Sequence, residues 1–254
     1  MKSYIAFIKK EILESIYTYK LFILLAVFIF LGILSPLTAK FTPLLMESLM
    51  SDGIKISLPD PSNIDSWIQF YKNISQMGFI ALIVIFSGIF STEYEKSTLI
   101  NMITKGLPRK AVILAKYTMM VLSFSVSYIL SFVISYAYTI YFWDNSGLNN
   151  IFFAALCPLI FALFILSTLV LGGVFFNYNY GNLLFSGAFI ALLNMLKIFP
   201  KFDKYNIIGL ISNNVPLLQG SLDRNDFTYS IIICLILTVV SIISSILIFN
   251  KKQL

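Results

Sequence analysis

Fifty-two consecutive residues, Asn145–Leu196, carry no charged side chain. A soluble helix or strand must turn a polar face to water, and this stretch has too few polar side chains to build one. In a bilayer it presents no difficulty. About 17–25 apolar residues cross the hydrocarbon, so the stretch is too long for one crossing and suits two. The polar, glycine-containing Asn177–Asn182 (NYNYGN) supplies the turn. The two crossings are then Asn150–Phe176 and Leu183–Phe199, with Gly172–Gly173 allowing a close approach or a kink.

Four more uncharged runs are long enough to cross: Leu21–Ala39, Asn73–Thr92, Tyr117–Trp143 and Phe227–Asn250. Apolar residues make up 58% of the chain and charged residues 12%, about half the charged fraction of a soluble domain. The expected fold class is therefore an all-α integral membrane protein with six transmembrane helices. Before the first crossing, residues 1–20 place Ile5, Ile8, Ile12, Ile16 and Tyr19 at helical spacing, with Lys10, Glu11 and Glu14 off that stripe. This predicts an interfacial elbow helix. Pro36 reads as a kink or stop near the outer end of the first span. In the polar segment Lys40–Lys72, TPLLMESLM predicts a short helix from Thr42, and Trp67 and Tyr71 occupy the place of an interface belt.

Between the second and third spans lies a charged island, Glu93–Lys116. It holds Glu93, Glu95, Lys96, Lys105, Arg109, Lys110 and Lys116. Ser91 or Thr92 is placed to cap a helix containing Glu93 and Glu95, and Gly106 and Pro108 predict a turn before a new helix from about Arg109. With six spans, both termini and the island share one side. That side carries eleven Lys or Arg against four Asp or Glu, and the other side seven against eight. The positive-inside rule then predicts cytoplasmic termini in a cell membrane. The net charge of +6 is a topology signal and calls for no nucleic-acid partner.

The third span repeats small polar residues every four positions: Ser123, Ser127, Ser131, Ser135 and Thr139. Phe124, Tyr128, Phe132 and Tyr136 run beside them. Two readings fit. One is close helix packing with hydroxyls bonded to carbonyls four residues back. The other is a substrate path including Ser123, Ser127, Tyr128, Ser131, Ser135 and Tyr136.

Histidine is absent, which removes the commonest catalytic base and zinc ligand, so no metal site and no catalytic residue is expected. Cys157 and Cys234 both lie in apolar runs and read as buried or lipid-facing, not as a bridge. No P-loop or GxSxG motif occurs. No span carries a mid-depth carboxylate of the kind an ion-driven carrier uses. A membrane body with no energy source of its own calls for an energised partner at its cytoplasmic face.

The order of elements resembles the permease subunits of ABC-2 (type 2) ABC exporters. In that family an elbow helix precedes span 1, and a glutamate-led motif, a short basic stretch and a lysine follow span 2. Here Glu93-Tyr94-Glu95-Lys96-Ser97-Thr98-Leu99, Pro108-Arg109-Lys110 and Lys116 stand at those places, with Ser97 where glycine is usual. Ser35-Pro36-Leu37-Thr38-Ala39-Lys40 is also similar to family members. The resemblance implies that segment 93–116 couples to a separate ATPase, with Glu93, Glu95, Thr98, Arg109 and Lys110 at or supporting the contact. It implies two ATP-binding subunits, a second permease chain (identical or different), and ATP and Mg²⁺ bound in the partner subunit only. The chain itself is then not an enzyme. Its aromatic, uncharged spans suit an amphipathic peptide, antimicrobial or lipophilic cargo. An ion-coupled carrier or channel, and a membrane scaffold or sensor, are the competing classes. The abundance of Ile, Asn and Lys points to a bacterial source.

Overall fold

The structure is a computed structural model that describes residues 2–49, 60–95, 98–104, 106–143, 147–176, 178–199 and 204–252. The described chain is all-α. The N-terminal helix α1 (Lys2–Tyr17) turns at Thr18–Tyr19 into α2 (Lys20–Leu49). Then come α3 (Asn63–Phe86), α4 (Ser91–Glu95), α5 (Thr98–Thr104) and α6 (Arg109–Phe142). The second half holds α7 (Ile151–Phe175), α8 (Asn179–Leu196), the short α9 (Gly209–Ser212) and α10 (Asn214–Leu218), and α11 (Thr228–Lys251).

Among the described residues, five helical segments are long and apolar enough to cross a membrane: Lys20–Leu44, Asn63–Phe86, Arg109–Phe142, Ile151–Phe175 and Arg224–Lys251. The protein is a multi-pass, all-helical membrane protein by this measure. The 18-residue α8 is not among the five, because its first turn, Asn-Tyr-Gly-Asn, dilutes an otherwise apolar helix.

Two helix pairs form the body. α2 lies along α6, α11 lies along α7, and α6 meets α7 between them. Chemistry fixes each seam. At the first, Gly32 of α2 rests on α6, where an added Cβ would stand 2.6 Å from the Ser131 carbonyl oxygen. Ser127, Ser131, Ser135 and Thr139 are fully buried along α6. The Ser127 and Thr139 hydroxyls donate to the carbonyls of Ser123 and Ser135 at 2.8 and 2.7 Å. The small-residue ridge is thus a packing surface that brings backbones close. The second seam has a ridge of its own that the sequence reading did not single out: Ser230, Cys234, Thr238, Ser241 and Ser245, with Phe249 at the end, are the buried positions of α11. Cys234 and Cys157 are free and buried.

Three sequence expectations are corrected. α2 runs through both Pro36 and Pro43, so neither proline ends it and TPLLMESLM starts no new helix. The Ser35, Thr38 and Thr42 hydroxyls donate to the carbonyls of Leu31, Ser35 and Thr38, binding polar backbone groups around the two prolines. α3 begins at Asn63, ten residues before the expected Asn73. Asp65 in its first turn reaches back to Ser62, whose N–H and hydroxyl both donate to one carboxylate oxygen, at 2.9 and 2.7 Å. Its middle is a π-helical turn, Ile74–Gly78. Trp67 and Tyr71 accordingly form no interface belt, being buried in the bundle. The aromatic ridge of α6 takes them in, with Trp67–Phe132 centroids 5.3 Å apart and Phe70–Tyr128 6.2 Å apart. α10 closes this end over α3 and α7, burying Leu217 and Leu218.

Candidate functional site

At the other end, five charged side chains from three elements meet. Lys116, two turns into α6, is 1% exposed. Glu93 of α4 and Glu11 of α1 are 3% and 2% exposed. Lys116 Nζ lies 3.1 Å from Glu11 Oε2 and 2.9 Å from Glu93 Oε2. Lys10 Nζ lies 2.7 Å from Glu93 Oε1, 3.0 Å from Glu11 and 2.6 Å from Glu14. Local sequence places each group. Glu11 shares a helix face with Phe7 and Ser15, both buried. Lys116 shares one with Val112, Met119 and Met120, also buried. An ionised group on an apolar face must find its counter-charge across the interface.

The inward face of α1 is therefore Phe7-Glu11-Ser15, with Ile8 and Ile12 of the isoleucine stripe half-buried at its flank. Ile5, Leu13 and Tyr17 are exposed, which leaves an apolar outer face for the lipid interface. The Tyr4 hydroxyl, 2.8 Å from the Thr118 hydroxyl, adds a second tie between α1 and α6.

Electrostatics support the docking. Burial alone would raise the Glu93 carboxyl, but Lys116 and Lys10 outweigh it and hold Glu93 below the usual carboxylate range. Burial alone would depress Lys10, yet Glu11 and Glu93, with Glu14, lift it above the ordinary lysine value. Oxygens of Glu11, Glu14 and Glu93 lie within 4.8 Å of one another. Two lysine ammonium groups already occupy the space among them, so a metal ion would have to displace those ammoniums.

A pH profile follows. The Glu93 contribution is complete above its unfolded value, about 4.3, and is lost as pH falls through its depressed folded value. The Lys10 contribution is complete below about 10.4 and is lost only as pH rises through its raised value. Docking of α1 is thus constant through neutral pH and releases in acid. Spin labels at the exposed Lys9 and Lys110 should give one narrow distance at pH 7 and a broad distribution near pH 3. An unchanged distribution in acid would rule this out.

The other expected site residues lie elsewhere. Arg109, at the start of α6, turns onto its own chain. Its Nη1 donates to the carbonyls of Phe249, Asn250 and Lys252 at 2.7, 3.0 and 2.7 Å, capping the C-terminus of α11. Lys252 Nζ donates in turn to the Val174 carbonyl near the end of α7, at 2.7 Å. Thr98 and Lys110 are exposed. Glu95 is helical, and its side chain lies outside the described residues. Leu99 is buried while Thr98, Asn101 and Thr104 face outward, so α5 presents a polar face away from the bundle. Ser123, Ser127, Ser131, Ser135 and Tyr128 are buried, and Tyr136 packs partly exposed against Trp67.

The turn between α3 and α4 is held by residues that the sequence reading treated only as loop. Asn182 Nδ2 donates to the Ser87 carbonyl at 2.7 Å, and Asn179 bonds the Ser91 hydroxyl. Phe90 fills the space over Gly173, where a Cβ would stand 2.6 Å from the ring. An Asn-x-x-Asn pair opening a helix directly after a turn was the available signal.

No protein-family model matches the chain, and no curated protein or solved structure matches it.

Proposed function

We propose that the chain is the non-catalytic membrane-spanning permease subunit of an ATP-driven exporter of the ABC-2 type. In this reading it has six spans, α8 being one of them. At about 1.5 Å per residue α8 is about 27 Å long, close to the hydrocarbon thickness. Both termini are cytoplasmic. Two ATP-binding subunits carry ATP and Mg²⁺, and a second permease chain completes the path for an amphipathic peptide, antimicrobial or lipophilic compound moving outward.

The observation that carries this reading is the ionic network. It ties the N-terminal helix and α4, the element before and in contact with α5, to the buried start of α6, while α5 exposes Thr98 and Asn101. A push on that face by a partner is delivered to several long helices together, as coupling requires. Glu93 acts here as the internal tie. Thr98, Asn101 and Lys110 are the contact surface.

The test is affinity purification in mild detergent with ATPase assay of the product. A co-purifying ATPase is expected from the unaltered chain. Thr98→Trp or Asn101→Trp should reduce its recovery about ten-fold, as expected for blocking a central contact, without altering the thermal stability of the chain. A chain that comes out alone under several mild conditions and moves substrate down an ion gradient in liposomes would overturn the proposal. A partner that binds without ATP-dependent flux would reduce it to a scaffold.

A further inference from the structure

The bundle end remote from the ionic network holds a cavity of about 320 Å³. Lys204, Asn213 and Asp226 supply its polar wall, Leu222 and Phe227 its apolar wall, and Ser230 its inner edge. Its position is set by a spanning helix. Asp226, Phe227 and Ser230 belong to the first turns of the segment Arg224–Lys251, and 24 helical residues in α11 place the Arg109 clamp about 36 Å away.

The wall is built, not incidental. The Ser230 hydroxyl donates to the Asn206 carbonyl at 3.1 Å, and Asn206 Nδ2 donates to the Leu193 carbonyl at 2.9 Å. These bonds pin the 204–206 segment between α11 and α8. Lys204 Nζ lies 5.1 Å over the Tyr229 ring, which is itself edge-on to Tyr205 at 5.5 Å. One oxygen of Asp226 accepts the Asp223 N–H at 2.9 Å. Among the described residues neither Lys204 nor Asp226 has an ion-pair partner. The cavity thus offers one positive and one negative group that line the same space without forming an ion pair with each other.

An exposed apolar strip leaves this end. Tyr229, Ile232, Ile236, Val239 and Ile243 are all exposed, at alternating spacings of three and four along α11, so they form one apolar face down a membrane-spanning helix. Tyrosines at its head mark the polar–apolar boundary.

We propose that this cavity binds the headgroup of a zwitterionic glycerophospholipid, such as a phosphatidylethanolamine. The phosphate lies toward Lys204 and the Asn213 amide, the ammonium toward Asp226, and the acyl chains along the Tyr229–Ile243 strip. A lone anion satisfies only half of the wall, and a soluble zwitterion leaves the strip unused. The inference does not depend on the ATP-coupled reading above.

Native mass spectrometry of the full chain in detergent tests it, with palmitoyl-oleoyl phosphatidylethanolamine and phosphatidylglycerol offered at equal concentration. One phosphatidylethanolamine should be retained about ten-fold in preference, the scale of one charge-assisted contact. Asp226→Asn should abolish that preference, Lys204→Gln should lower retention of both lipids, whose shared phosphate it meets, and Lys40→Gln, outside the cavity wall, should change neither. If Asp226→Asn disturbs the turn at Asp223, the loss of total retention in Lys204→Gln carries the test alone. Equal retention of both lipids, or unchanged total retention in Lys204→Gln, overturns the proposal. So does displacement of the lipid by phosphoethanolamine at the same concentration, which would mean that the cavity reads a soluble zwitterion.

Discussion

Replacing Lys116 by methionine will lower the unfolding free energy of the purified chain by about 3–5 kcal/mol, the range for removing one partner of a buried ion pair. Methionine fills a similar volume, so lost packing is a small part of the loss. The larger part is electrostatic. Glu11 and Glu93 stay buried with only Lys10 to answer them, and the Lys10 side chain is 37% exposed. Unfolding in detergent followed by circular dichroism reads the change. The companion variant Glu93→Gln makes the cause explicit. Lys116→Met combined with Glu93→Gln should cost clearly less than the sum of the two single changes, because the second removes a charge that the first stranded. Additive losses, or a loss below about 1 kcal/mol, would mean that water reaches the network and the pairing is a surface effect.

The second large effect belongs to Arg109→Ala, with an expected loss of about 2 kcal/mol, the scale of hydrogen bonds to a charged group. One guanidinium nitrogen serves three carbonyls at the end of α11, where the helix dipole concentrates negative charge. Without it the last turn frays, and Lys252, which reaches the Val174 carbonyl from that same turn, loses its anchor. Amide exchange over residues 246–252 should accelerate, while exchange at the start of α6 changes little. Arg109→Lys should recover much of the loss, since an ammonium carries three protons for the three oxygens. Unchanged exchange in the alanine variant would show that α11 holds its own end and that Arg109 serves another contact.

Much of this architecture is legible one residue at a time. Uncharged runs mark the long helices, and Gly106 and Pro108 mark the turn before α6. Serines every four residues mark a packing ridge, though spacing alone did not say that Gly32 would lie against it. The charges were harder to read. Counting isoleucines as the stripe puts Lys10, Glu11 and Glu14 off it and gives no sign that Glu11 is buried. The face is decided by what lies across from it, and the partner of Glu11 is Lys116, 105 positions away. Such a pairing leaves no trace in local periodicity. Its local sign was an ionised residue with apolar neighbours three and four places off. Trp67 and Tyr71 were misplaced for the same reason: aromatic residues beside a polar segment suit an interface belt and a buried α3 equally well. Only the facing ridge of α6 distinguishes the two.

The turn at residues 87–94 has a mechanical consequence. Glu93 ties it to α1 and α6, Asn179 and Asn182 tie it to α8, Phe90 rests on α7 at Gly173, and the Phe90 and Phe249 rings meet at 6.1 Å beside α11. No element bears this turn alone. A force applied there is shared as it would be by a stiff end plate joining several rods: the rods tilt together, and shear is forced toward the opposite end of the bundle. Among the described residues that end is closed by the short helices α9 and α10 and by side-chain contacts, with no ion pair. Under the proposed coupling, displacement introduced at the charged face would emerge there as opening.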